Sequence, residues 1–215
     1  MWYRHGGHFK PSPLSWDEQD QLFKELPPHL HQMALFAVNT GCRMGEILKL
    51  RWEWEIAIES IPGGSVFVIP AQFVKNRHER LVVLNDIARS VIENVRGNHP
   101  KYVFTYQGRL ITDMNNTGWC KARKRAGLEH IRVHDLKHTF GRRLRAANVS
   151  LEDRQELLGH KSERMTSHYS AAEVGRLWQA SQKVCQKVES GITLSYLTKM
   201  TNTASSRKSP ASDFC

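Results

Sequence analysis

No stretch of this 215-residue chain approaches the ~18 to 20 uninterrupted apolar residues of a membrane-crossing helix. The opening MWYRHGGHFK lacks the apolar middle of a secretory signal, so the chain is expected inside the cell. Cysteine is scarce and scattered: Cys42, Cys120, Cys185 and Cys215 form no CxxC pair and read as reduced thiols rather than a disulfide framework. There is no GxxxxGK[ST] loop and no cluster of carboxylates, which excludes the usual nucleotide-driven and two-metal chemistries. His134 and His138 stand at a spacing that can chelate a metal, but neither HExxH nor a cysteine partner accompanies them, and no metal is expected. No internal repeat is evident.

What the chain has in excess is positive charge. Lys and Arg number 31 against 21 acidic residues, a net charge of +10, within an otherwise ordinary composition of 40% hydrophobic and 9% aromatic residues. The excess is concentrated: positions 121, 123, 124, 125, 132, 137, 142, 143 and 145 are all Lys or Arg, whereas Glu129 and Asp135 are the acids of that span. Such a balance favours a polyanion, most simply nucleic acid, over the alternative of a solvated basic face.

The pattern is mostly helical. Ser15-Trp16-Asp17-Glu18 has the form of a capping box, and Leu22, Phe23 and Leu26 follow at helical spacing until Pro27-Pro28. A second helix is predicted from about His29 to Thr40 with Met33, Phe36 and Ala37 inward, stopped by Gly41, and a short one starts near Arg43. The β-rich runs 52–58, 65–69 and 81–84, separated by Pro62-Gly63-Gly64 and the charged stretch 75–80, predict a small antiparallel sheet of three strands. Helical patterns resume at roughly 86–96, 113–126, 134–147, 151–158 and 171–188, with a second capping box at Ser150 and Asp153. The last of these helices docks either on a neighbouring protomer or within its own domain. Residues 190–215, rich in Ser and Thr, read as a flexible tail.

Four local patterns stand in order: Thr40-Gly41-Cys42-Arg43-Met44-Gly45-Glu46-Ile47, then Lys75 in the hairpin, then His134-Asp135-Leu136-Lys137-His138-Thr139-Phe140, then Leu158-Gly159-His160 with Tyr169 nine positions later. Together they resemble the tyrosine recombinase (phage integrase) family over roughly Leu14 to Leu177. The resemblance implies an α+β, mainly helical catalytic fold with a small antiparallel three-stranded sheet over residues 14–189. Residues 1–13 are then a linker or the remnant of the separate DNA-clamping domain that family members usually carry. It implies double-stranded DNA as partner and no cofactor. It further implies a homo-oligomer on DNA, a tetramer during recombination, built from protomers that are monomers in isolation. The implied location is the cytoplasm of a bacterial or phage-infected cell, at the nucleoid.

The chemistry explains the gathering of these residue types. A phosphodiester is a stable anion, so its attack needs a nucleophile, neutralisation of the non-bridging oxygens and a proton for the departing oxygen. A tyrosine nucleophile conserves the bond in a covalent intermediate for later rejoining. Tyr169 is the candidate, since Tyr3, Tyr102, Tyr106 and Tyr196 lack comparable context. A phenol of pKa ~10 needs nearby cations to favour its phenolate or a base to take its proton. Arg43, just past the Gly41 stop, can grip two phosphate oxygens; a helix N-terminus otherwise slightly disfavours a cation. The resemblance implies that Glu46 supports the site without reacting, the alternative being a helix-surface ion pair with Arg43 or Lys49. It also implies that Lys75 is the general acid toward the leaving 5′ oxygen and that His160 bonds the phosphate.

His134 and Lys137, at i and i+3, are expected on neighbouring parts of one helix surface, with Leu136, Phe140, Leu144 and Ala147 facing the core. Lys137 departs from the family's His-x-x-Arg: it keeps a positive charge and loses the planar fork. Removing one transition-state donor costs ~100 to 1,000-fold in rate, and the retained charge reduces that figure. Arg142 and Arg143 lie too far along the helix to replace it. Lys121, Arg123, Lys124, Arg125 and Arg142 are the expected DNA-binding cations. The function so implied is a site-specific recombinase forming a 3′-phosphotyrosyl intermediate. The alternatives are a catalytically weakened DNA-binding relative acting as an accessory protein, and a strand-swivelling topoisomerase with the same chemistry.

Overall fold

The computed structural model describes residues 10–59, 61, 64–160 and 170–185. Tyr169, residues 1–9 and the 190–215 segment lie outside the described residues. Helix α1, Trp16–Glu25, starts at the expected capping box, with Ser15 accepting from the Glu18 amide and Glu18 from the Ser15 amide. Helix α2, Pro28–Thr40, places a proline at its first turn, where no intrahelical N–H is needed, and ends on Gly41 in the left-handed region at φ 62°. A Cβ at residue 41 would lie 2.6 Å from the Phe140 ring, so glycine serves both the turn and the close approach. Helix α3, Met44–Leu48, follows at once with Arg43 as its N-cap.

Strands β1 (Glu55–Ile58), β2 (Gly64–Ile69) and β3 (Arg80–Val83) form the antiparallel sheet in the order β1-β2-β3. The first predicted strand is shorter than expected because Trp52–Trp54 forms a 3₁₀ turn. The pleat divides the core. Phe67, Ile69 and Val82 face a large cluster built on the first helices, whereas Val66, Leu81 and Val83 face a second one with Phe140, Leu144, Leu157 and Leu177. Both faces are covered, which is why β3 is buried along its whole length.

Helix α4, Asp86–Val95, is capped by Asn85. Strands β4 (Thr105–Tyr106) and β5 (Arg109–Leu110) form a second, two-stranded hairpin that the sequence pattern does not predict. Its two turn residues, Gln107 and Gly108, both have positive φ. Helix α5, Thr117–Arg125, begins four residues later than predicted, because Asp113 accepts from the Asn115 amide and Asn116 caps the Trp119 amide. Helix α6, Val133–Ala146, packs on α2, and helix α7, Leu151–Leu157, is capped by Ser150. Helix α8, Ala171–Gln182, buries Val174, Leu177, Ala180 and Ser181 against α7 and β3. Its described part therefore docks within its own domain, and it ends short of the expected Val188.

Residues 12–14 lie along α6. The Ser12 amide donates to Asp135 Oδ1 (3.2 Å) and the Leu14 amide to Thr139 Oγ1 (2.9 Å). Cys42, Cys120 and Cys185 are free thiols; Cys215 lies outside the described residues. No described helix is long and apolar enough to cross a membrane.

Candidate active site

The turn after α2 delivers Arg43 to one edge of the domain. Glu46 holds it from below: one carboxylate oxygen accepts from the Arg43 amide (2.8 Å) and the other from its guanidinium (2.8 Å). Glu46 is buried, and its second partner is Arg80 (3.3 Å) rather than Lys49, so it is not a surface ion-pair residue. Burial works to raise its pKa, but the Arg80 charge and the Arg43 hydrogen bonds outweigh it and hold the carboxyl below the usual range. Arg43 thus keeps part of its fork directed by a fixed counter-charge, with its other arm 3.5 Å from the Gly159 carbonyl.

Helix α6 crosses behind Arg43. The expectation that His134 and Lys137 share one surface is only half met. His134 is exposed at the helix start, while Lys137 is turned inward and 5% exposed. Its ammonium donates to the carbonyls of Gly41 (3.1 Å) and Leu158. Burial, reinforced by the charges of Arg80 and Arg43, pushes its pKa down to about 7. Position 137 therefore does not simply keep the positive charge of the motif arginine. His138 stands edge-on to His134 with ring centroids 4.7 Å apart. Burial lowers the pKa of both, and for His134 the neighbouring His138 lowers it further.

Helix α7 ends in a Schellman turn: the Gly159 amide donates to Glu156 O (2.9 Å) and the His160 amide to Gln155 O (2.9 Å), with Gly159 at φ 57°. The turn presents His160 beside the other residues, its pKa lowered by burial and then by Lys137, Arg43 and Arg80. Lys75, exposed in the turn between β2 and β3, completes the ring.

Arg43, Lys75, His134, Lys137 and His160 all line one cleft of 810 Å³, and among the described residues no carboxylate lines it. Among the described residues no group of three or more His, Cys, Asp or Glu could hold a metal ion. Two lining cations, Arg145 and Arg154, were not among the expected DNA-binding residues. Arg145 falls on the same helical stripe as His134, His138 and Arg142, a periodicity that would have revealed it. Arg154 carries no comparable signal. Arg80 is the third omission: the charged stretch 75–80 reads as a turn, yet Arg80 opens β3 and is 2% exposed.

The expected DNA-binding cations divide. Arg142 lines the cleft. Lys121 and Lys124 are exposed on α5, away from it. Arg123 closes the following loop by donating to the carbonyls of Glu129 (2.8 Å) and Ile131 (2.5 Å), and Arg125 is tied to Glu25 of α1. Those two are engaged in the fold.

A model of the Phage integrase family matches residues 14–176. The integrase of Salmonella phage P22 is 31% identical over 180 residues, covering 78% of this chain and 45% of that protein. The chain thus spans less than half the length of that relative. Among solved structures, an integrase from mycobacterium phage Brujita gives a TM-score of 0.64 at 20% identity, covering 88% of this chain and 63% of that one. A lambda integrase tetramer bound to a Holliday junction gives 0.56 at 18% identity, covering 74% and 49%. At these identities the structural likeness establishes the fold: mainly helical, with a small antiparallel sheet.

Proposed function

The chain belongs to the phage integrase family, and on that premise we propose that it breaks and rejoins double-stranded DNA as a site-specific recombinase. The observation that carries this reading is the cleft in which Arg43, Lys75, His134, Lys137 and His160 converge, with no carboxylate among its described lining residues. Such a lining suits a phosphodiester anion.

The Tyr169 hydroxyl is the nucleophile. Its oxygen bonds to phosphorus, the bond from phosphorus to the 5′ oxygen breaks, and a 3′-phosphotyrosyl intermediate forms. Lys75 supplies the proton that leaves with the 5′-hydroxyl, and a cleft histidine takes the phenol proton. The lowered pKa of His134, His138 and His160 supports that role, because a neutral imidazole can accept a proton at pH 7. Arg43 grips the non-bridging oxygens and Glu46 aims it. Attack by a 5′-hydroxyl on the phosphotyrosine reverses the step, so bonds are conserved. Arg142 and the exposed Lys121 and Lys124 contact the flanking backbone.

The catalytic unit is assigned to residues 14–189, acting in the cytoplasm on nucleoid DNA. Monomers in isolation assemble on DNA as a homo-oligomer, a tetramer during recombination. The lambda integrase tetramer on its Holliday junction supports that assembly.

A nicked suicide duplex tests the reading. Incubation should yield a covalent protein–DNA adduct on a denaturing gel, and Tyr169→Phe should abolish it. A wild-type chain that binds the duplex without forming an adduct would replace this reading with that of a non-catalytic relative.

A further inference from the structure

Two helix C-termini meet beneath the cleft. The last turn of α2 turns the carbonyls of Thr40 and Gly41 inward, and the last turn of α7 does the same with Leu157 and Leu158. Carbonyls at a helix C-terminus lack intrahelical donors and carry partial negative charge, so two such ends repel unless a cation joins them. Arg80 and Lys137 fill that position. Arg80 donates to Leu158 O (2.8 Å), Leu157 O (3.3 Å) and Thr40 O (3.3 Å), and Lys137 donates to Gly41 O and again to Leu158 O. Glu46 supplies the counter-charge to Arg80 and, through its other oxygen, fixes Arg43. Gly159 permits the approach, since a Cβ there would overlap the Arg80 guanidinium.

We infer that Arg80 and Lys137 are a positioning pair that pins the turn carrying His160 to the turn carrying Arg43 and so sets the phosphate-binding gap between them. Arg80 stands outside the lining of the cleft, and Lys137, at its floor, commits its ammonium to the Gly41 and Leu158 carbonyls. The depressed proton affinity of Lys137 fits an ammonium packed among cations and carbonyls rather than one facing solvent. The role rests on the recombinase reading above and identifies what holds its site in register.

The test compares wild type, Arg80→Met, Arg80→Lys, Lys137→Met and the double Met variant in three measurements: single-turnover cleavage of the suicide duplex at saturating protein, duplex affinity, and thermal midpoint. Loss of registration by about an ångström costs on the order of 100-fold in rate. Arg80→Met should show that loss with affinity nearly unchanged, Arg80→Lys should recover part of it, and the double variant should be little worse than either single one. Should Arg80→Met fail to fold, Arg80→Lys and Gly159→Ala are read in its place. Gly159→Ala displaces the guanidinium without removing charge and should likewise lose rate more than affinity. Variants that cleave like wild type, or that lose rate and affinity in parallel, overturn the pair while leaving the recombinase reading intact. A wild type that forms no adduct overturns both, and the failure then appears before any substitution is made.

Discussion

Helices α5 and α6 each carry four Lys or Arg, and the two sets meet different surroundings. On α5, Lys121 and Lys124 face solvent, Arg123 closes a loop on backbone carbonyls and Arg125 ties to α1. On α6, Arg142 and Arg145 line the cleft, Lys137 is sunk between two helix ends, and Arg143 lies 3.5 Å from the centroid of the Trp16 ring. Burial lowers the Arg143 pKa to about 10, so even this guanidinium is held at some cost by its aromatic partner. Charge density along a sequence therefore says that a polyanion is welcome. It does not say which cations will meet it.

That contrast can be broken at the cleft first. Arg43→Ala should lower the rate of adduct formation ~100 to 1,000-fold, measured on the suicide duplex, whereas Arg125→Ala should leave it unchanged.

Lys137 offers a second test, through the pH dependence of stability. Its pKa falls from 10.5 to about 7 on folding. The unfolded chain therefore binds more protons between those values, and the penalty of the buried charge is absent above 10.5 and complete below about 7. Relative to Lys137→Met, the wild type should gain stability as pH rises through that window, by at most about 1.4 kcal/mol per pH unit. Thermal melts of both proteins at pH 7 and pH 10 measure it, and a constant difference would contradict the depressed value.

Binding sharpens the comparison further. Arg142→Ala and Arg145→Ala should each weaken duplex affinity across sequences and reduce the salt slope by about 1. Arg123→Ala should leave the slope alone and instead cost about 1 kcal/mol of stability through its lost carbonyl bonds. The smallest effect belongs to Arg125→Ala, whose exposed pair with Glu25 is worth about 0–1 kcal/mol in a denaturation midpoint.

Local signals carried much of the fold. The Ser15 box, the Gly41 stop and the β-rich run 65–69 are local signals, so they read correctly in isolation. The hairpin 105–110 has strands of two residues, too short for a period to show. Arg80 escaped because its partners lie 40 and 78 residues away, on elements whose meeting no local pattern encodes. Lys137 was legible in part. Leu144 lies seven residues on, only about 20° off the same helical line, and is fully buried. Its angular position already pointed inward, and the two carbonyls that receive its charge belong to distant turns. Tyr169 is identified by sequence context alone, since its position lies outside the described residues.

The strap formed by residues 12–14 has a mechanical consequence. Its two backbone amides grip Asp135 and Thr139, the residues two before and two after Lys137. The strap therefore bears directly on the helix that carries His134 and Lys137. A displacement of residues 12–14 thus acts first on the helix whose Lys137 bridges the carbonyls of Gly41 and Leu158, beside Arg43 and His160.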